Sequence, residues 1–194
     1  VGNYCERMGH RDQLLDAARK LLQDKGYAHI TARDLVAESG TNLASIGYHF
    51  GSKAGLLNAA LGSVFEEWTT ELVKVAMTAE HETPVERCLR AWSVMLEQLP
   101  GQRSMLLSFV EALAQADRDP ELRTQLAEIQ RATRDRVSAV VAESLGSSPD
   151  DPACRALASF IMAVCDGLAT QWLVNPSESP TGEDLRAGLS SMWR

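Results

Sequence analysis

The sequence predicts an all-α fold, and three observations carry that reading. Apolar residues recur every three or four positions along most of the chain, the period that keeps them on one helical face. No sustained apolar–polar alternation appears, and no Asn-Gly or Asp-Gly hairpin joins two β-branched runs. Glycine and proline punctuate the chain between the periodic segments, where helices end and turns begin.

Taken in order, Leu14, Leu15, Ala18, Leu21 and Leu22 form the stripe of a first helix. Asp12, Asp16, Lys20 and Asp24 lie opposite, and Gly26 closes the helix. Thr31 opens a short helix that runs to about Ser39, and Gly40 permits a tight turn. Asn42 is a good N-cap for a second short helix over about 43–49. A long helix follows from about 52 to 78, carrying Leu56, Leu57, Ala60, Leu61, Val64, Phe65, Trp68, Leu72 and Val75. Beyond it, Pro84, Pro100-Gly101, Pro120, the stretch 146–152 and the stretch 176–182 delimit helices near 84–99, 102–117, 120–145, 152–174 and 182–193. Nine helices result, with no internal repeat.

Composition narrows the class. The 194 residues are 45% hydrophobic and 23% charged, as in an ordinary globular protein. The longest apolar stretches, such as 156–164, are interrupted well before the roughly 20 residues that a bilayer span needs. The chain opens Val1-Gly-Asn-Tyr-Cys-Glu-Arg, with neither a cationic leader nor an apolar signal segment, so a soluble, cytoplasmic protein with no membrane partner is expected. The four cysteines (Cys5, Cys88, Cys154, Cys165) form no Cys-x-x-Cys pair and have no histidine at ligand spacing, which points to small core residues in a reducing compartment. No metal or cofactor is expected. His10, His29, His49 and His81 have no Cys or His neighbours at ligand spacing, and Glu80-His81-Glu82 reads as a solvated helix end. No Gly-x-Ser-x-Gly elbow, phosphate loop or dinucleotide fingerprint is present, so catalysis is not expected.

The net charge of −7 is unevenly spread. Residues 1–58 hold seven Lys/Arg against six Asp/Glu, a balance of +1, whereas 59–194 hold twelve against twenty, a balance of −8. A near-neutral amino-terminal part is compatible with a polyanionic partner, because only the contacting face need be positive.

The informative stretch is Thr31-Ala-Arg-Asp-Leu-Val-Ala-Glu-Ser-Gly-Thr-Asn-Leu-Ala-Ser-Ile-Gly-Tyr-His-Phe-Gly-Ser-Lys53. It reads as two helices of two turns each about Gly40, with Leu35, Val36, Ile46 and Phe50 meeting in a small shared core. A helix that enters the major groove, about 12 Å wide, must present short side chains. Leu43, Ala44, Ser45 and Gly47 meet that demand, while Tyr48, His49 and Lys53 can reach phosphates or base edges. The amino-terminal ends of both helices offer N–H groups to phosphate, with Thr31 and Asn42 beside them.

With Gly26-Tyr27, Thr31, Gly40 and Tyr48-His49-Phe50-Gly51-Ser52-Lys53 followed by Leu56-Leu57, the stretch resembles the helix-turn-helix of TetR-family transcriptional regulators. The match covers roughly residues 10–60. The 112–123 region and Asp166-Gly-Leu-Ala-Thr-Gln-Trp-Leu173 resemble that family's carboxyl-terminal domains more loosely. The resemblance implies a three-helix DNA-binding head, residues 9–55, on a six-helix body, residues 56–194, that binds an effector and dimerises. It implies a repressor of a double-stranded, palindromic operator, released by a small apolar or amphipathic molecule. It also makes Tyr48 and Lys53 phosphate contacts and His49 a phosphate or base-edge contact; Tyr48 in the core and a merely solvated His49 are the competing readings. Arg33 reaches phosphate or pairs with Asp34 or Glu38, and Leu43 meets a thymine methyl or sugar or fills core. Thr31, Asn42, Ala44 and Ser45 complete the expected DNA-binding set.

Three positions depart from the family's pattern. Val36 stands where a small Ala is usual, and Thr41 replaces a common Val. Gly47 replaces an aromatic residue or Asn, at a helix cost of about 1 kcal/mol relative to Ala. Gly47 either removes a base contact, permits closer approach, or marks a tolerant site.

In the body, Trp92, Met95, Met105, Leu106, Phe109, Met162 and Trp172 suit either plain core packing or an adaptable apolar pocket. Asp166 lies inside an apolar helix, where a carboxylate should be paired, line a pocket or sit at a subunit seam. Trp92, Met95, Leu106, Phe109, Met162 and Asp166 are the expected effector contacts. The last two helices carry Leu157, Phe160, Ile161, Val164, Leu168, Trp172, Leu185, Leu189 and Met192, more apolar surface than one buried face requires, so homodimerisation through them is expected. A competing class is a small-molecule-binding helical protein that has lost or altered DNA binding.

Overall fold

A computed structural model describes residues 9–78 and 83–192; Cys5 and the Glu80-His81-Glu82 run lie outside them. The described residues form eight α-helices, with no strand: α1 (His10–Lys25), α2 (Ala32–Ser39), α3 (Leu43–Phe50), α4 (Lys53–Met77), α5 (Pro84–Ala116), α6 (Pro120–Leu145), α7 (Pro152–Val174) and α8 (Gly182–Met192). Short 3-10 turns occupy Tyr27–His29 and Pro176–Glu178.

The expected break at Pro100-Gly101 is not there. α5 runs through Pro100 as one helix of 33 residues. Proline lacks the N–H that would satisfy the Leu96 carbonyl, and its ring crowds that turn. The helix survives because Pro100 faces solvent while Met95, Leu96 and Leu99 before it, and Met105 and Leu106 after it, are buried. Side-chain burial on both flanks outweighs the local penalty.

The chain forms two compact units. The first takes the chain through Phe65 together with Ser104–Leu126. In it α1, α2 and α3 pack on one another, and Leu14, Leu22, Ile30, Leu35, Leu56, Leu57, Leu61 and Leu122 are fully buried. A polar relay crosses this core. The Tyr27 hydroxyl donates to Asn58 Oδ1 at 2.7 Å, and Asn58 Nδ2 donates to Gln125 Oε1 at 2.5 Å. Burial, reinforced by the Asp119 charge, pushes the Tyr27 hydroxyl up to about 12. The Ala28 N–H donates to Glu111 at 3.0 Å, and the Phe65 and Phe109 rings lie 4.6 Å apart.

The second unit takes Glu66–Arg103 and Ala127–Arg194. Val141, Ala142 and Cys154 form a buried cluster with Val137 and Ile161 against it. Arg103 lies 5.7 Å over the Trp172 ring, and Arg155 pairs with Asp135 at 3.0 Å. α7 is apolar and long enough to cross a bilayer by length and composition, although Arg155 and Asp166 interrupt it. Only 17% of its most apolar window is buried, which leaves Leu157, Phe160 and Val174 in solvent.

Candidate nucleic-acid interface

Three local devices hold α2 and α3. Thr31 and Asp34 form a reciprocal cap: the Asp34 N–H donates to Thr31 Oγ1 at 3.2 Å, and the Thr31 N–H donates to Asp34 Oδ2 at 2.8 Å. The Lys25 ammonium at 2.7 Å and these Thr31 bonds hold the Asp34 carboxyl well below the usual range. Between the helices, Gly40 adopts a left-handed φ of 66°, which a side chain would resist. Asn42 then caps α3 by accepting the Ser45 N–H at 3.0 Å.

The expected DNA-binding residues fall into two groups. Leu43, Ala44 and Tyr48 project from one face of α3, with Leu43 56% and Tyr48 86% exposed. Tyr48 is therefore not a core residue; its only ring neighbour among the described residues is the edge of His49, 4.8 Å away. Arg33 is also exposed. The two carboxylates that competed for it are taken, Asp34 by Lys25 and Glu38 by Lys20 at 2.5 Å. Arg33 has no ion pair among the described residues.

The second group is engaged within the protein. Thr31 and Asn42 spend their side chains on caps. Ser45 is buried, with Oγ 3.3 Å from Asn42 Oδ1 and 3.4 Å from His10 Nδ1. His49 is half-buried beside Phe50. Lys53 donates to the Ile30 carbonyl at 2.7 Å, a bond that clips the start of α4 to the entry of α2. An ammonium has three donors, so two remain.

The sequence does not signal His10 and Arg11 as supports of α3. His10 reaches Ser45 at one end of α3, and the Arg11 guanidinium sits 5.5 Å over the Phe50 ring at the other. These contacts span 35 and 39 positions, so no local spacing signals them.

The expected effector contacts are split between the units. Leu106 is buried and Phe109 rests on Phe65 in the first unit. Trp92, Met95, Met162 and Asp166 belong to the second, where Trp92 and Met95 are buried and Met162 is half-buried. The Trp92 indole N–H makes no hydrogen bond of normal geometry, although it lies close enough to Cys165 to favour that thiolate. Burial wins at Cys165, and the thiol is pushed up to about 12. Asp166 still reaches solvent, but crowding by protein atoms raises its carboxyl. It has no ion-pair or side-chain hydrogen-bond partner among the described residues. No group of three His, Cys, Asp or Glu among them is placed to hold a metal ion.

Residues 14–60 match the model of the tetR family of bacterial regulatory proteins, and residues 84–192 match that of the BetI-type transcriptional repressor carboxyl-terminal domain. The HTH-type nicotine-responsive transcriptional repressor HdnoR of Paenarthrobacter nicotinovorans is 21% identical over 175 residues, covering 90% of this chain and 89% of that one. The crystal structure of the multidrug binding protein EbrR complexed with proflavin is 27% identical, covers 94% of this chain and 99% of its own, and superposes with a TM-score of 0.65. A protein of known crystal structure from Rhodococcus sp. RHA1 shares the fold at a TM-score of 0.72 and 19% identity, with 94% of each chain covered. The amino-terminal match, with a helical carboxyl-terminal part matched over 109 residues, places this chain in the TetR family of transcriptional regulators.

Proposed function

We propose that this regulator represses transcription in the cytoplasm by binding a palindromic operator as a homodimer, and that a small apolar or amphipathic effector releases it. Residues 9–55 read the duplex, and 56–194 bind the effector and pair the subunits. The observation that carries the proposal is the outer face of α3. An aromatic side chain 86% exposed beside Leu43, Ala44 and Gly47 does nothing for the interior, and a duplex groove supplies the surface it lacks. Thr31, Arg33, Asn42, Ser45, His49 and Lys53 surround that face as phosphate contacts or as the supports that orient it.

Pairing of two copies through α7 and α8 accounts for the exposed Leu157, Phe160 and Val174. A palindrome requires two reading helices on successive major grooves, which a two-fold pair of subunits supplies. Within its own unit, the effector touches Trp92, Met95, Met162 and Asp166. The unsatisfied Trp92 N–H and the unpaired Asp166 carboxylate offer it a donor and a charge. The names of HdnoR, as nicotine-responsive, and EbrR, as binding proflavin, favour a small organic effector. To empty the operator nearly completely, the effector must favour the released state by about 5.5 kcal/mol.

Selection of bound sites from random duplex DNA tests the proposal. Two symmetric half-sites about one helical turn apart are expected, and failure to enrich any sequence rejects operator reading. The alternative, a small-molecule-binding protein with lost or altered DNA binding, draws on Lys20 and Lys25 being spent on Glu38 and Asp34. A salt titration separates the two readings, since phosphate neutralisation makes affinity fall steeply with salt.

A further inference from the structure

Gly47 lies in the middle of α3, where glycine is the least favourable residue after proline. Nothing among the described residues asks for it. It is not among the glycines with positive φ, which are Gly26, Gly40, Gly51 and Gly146. Its carbonyl accepts the Gly51 N–H at 3.0 Å, and it is exposed. Among the described residues, a Cβ built on Gly47 would meet nothing beyond its own helix backbone and chain neighbours within 4 Å; one on Gly55 would lie 2.2 Å from the Phe50 carbonyl oxygen. Gly101, Gly167 and Gly188 are equally open, so openness alone does not single out Gly47. Its place does. Leu43 and Ala44 lie one turn before it and Tyr48 beside it, all exposed on the face proposed to enter the groove.

We propose that Gly47 is a specificity-determining position, whose missing side chain leaves an apolar notch in the reading face that receives the 5-methyl group of a thymine. The notch is bordered by Leu43 and Ala44, and its backbone groups are spent inside the helix. It therefore offers no donor or acceptor to a base edge. Of the apolar groups that a base pair presents in the major groove, only the thymine methyl is large enough to fill such a notch. A methyl at position 47 would stand where the thymine methyl goes.

This inference rests on the DNA-binding reading, and the experiment separates the two. Sites are selected with the unaltered protein, and each operator thymine is then replaced by uracil, which lacks only the methyl. The unaltered protein is expected to lose about fourfold in affinity per half-site at one symmetry-related pair, the weight of one buried methyl. Gly47→Ala is expected to bind the thymine operator no better than the unaltered protein binds the uracil one. The uracil swap at that pair should no longer matter to it. Its melting midpoint should stay level or rise by a few degrees, which excludes misfolding as the cause. Unchanged operator affinity in Gly47→Ala, or uracil swaps with equal effects in both proteins, overturns the notch alone. Absence of salt-dependent binding by the unaltered protein to any duplex overturns the notch and operator reading together.

Discussion

Tyr48 separates function from folding at the scale of one residue. At 86% exposure it contributes almost nothing to the interior, so Tyr48→Ala is expected to leave the thermal midpoint within a degree or two. Operator affinity should fall roughly tenfold, as read by fluorescence anisotropy on a labelled duplex. Asn42→Ala should behave differently: loss of the cap to the Ser45 N–H costs about 1 kcal/mol of stability and weakens operator binding with it. The Thr31–Asp34 cap has a pH signature. Lys25 and Thr31 depress the Asp34 carboxyl in the folded state, so its contribution is fully present above about pH 4, the unfolded value. It is lost as pH falls through the lower folded value. Asp34→Asn is therefore expected to melt below the unaltered protein at neutral pH, and the two curves should converge on strong acidification. A gap that persists unchanged into acid would count against an ionised Asp34 as the source.

Helices and their joins show what the sequence could and could not reveal. The bounds of α2 and α3 were legible to within a residue or so, because Thr31, Gly40 and Asn42 declare their roles through chemistry confined to one turn. The continuity of α5 was not legible. Proline is a local stop signal, whereas the burial that overrides it at Pro100 depends on residues distant in sequence. Pro100→Ala is expected to raise stability by about 2 kcal/mol, since restoring the Leu96 acceptor outweighs the lost stiffness of the unfolded chain. Denaturant unfolding would read it. Equally hidden was the membership of Ser104–Leu126 in the first unit. The Tyr27–Asn58–Gln125 relay joins residues 31 and 67 positions apart. Asn58→Leu would strand a buried hydroxyl and an amide, at a cost of about 1–3 kcal/mol. The candidate DNA face was readable as a set of residues. Which of them point outward was not, because Ser45 and Lys53 are drawn inward by His10 and by the Ile30 carbonyl, partners that no spacing rule connects to them.

For the molecule as a whole, the bare side of α7 sets the terms. Phe160 is 61% exposed on a helix whose apolar window is mostly unburied, a surface that water tolerates poorly. Phe160→Glu is expected to yield monomers in analytical ultracentrifugation. On the proposed homodimer, operator affinity should drop on the order of a hundredfold, because the two heads would no longer share one binding event. The thermal midpoint of the unaltered protein should in turn climb with its concentration. The pairing of Lys20 with Glu38 and of Lys25 with Asp34 reaches further still. With those two ammonium groups engaged in ion pairs, fewer cations among the described residues of each head remain to displace counterions from a phosphate chain. Its grip on random sequence should be correspondingly loose. Such a protein would wander a chromosome with short pauses, few copies being held captive by irrelevant sites. A small cellular pool could then keep its target occupied and still respond quickly when the signal arrives.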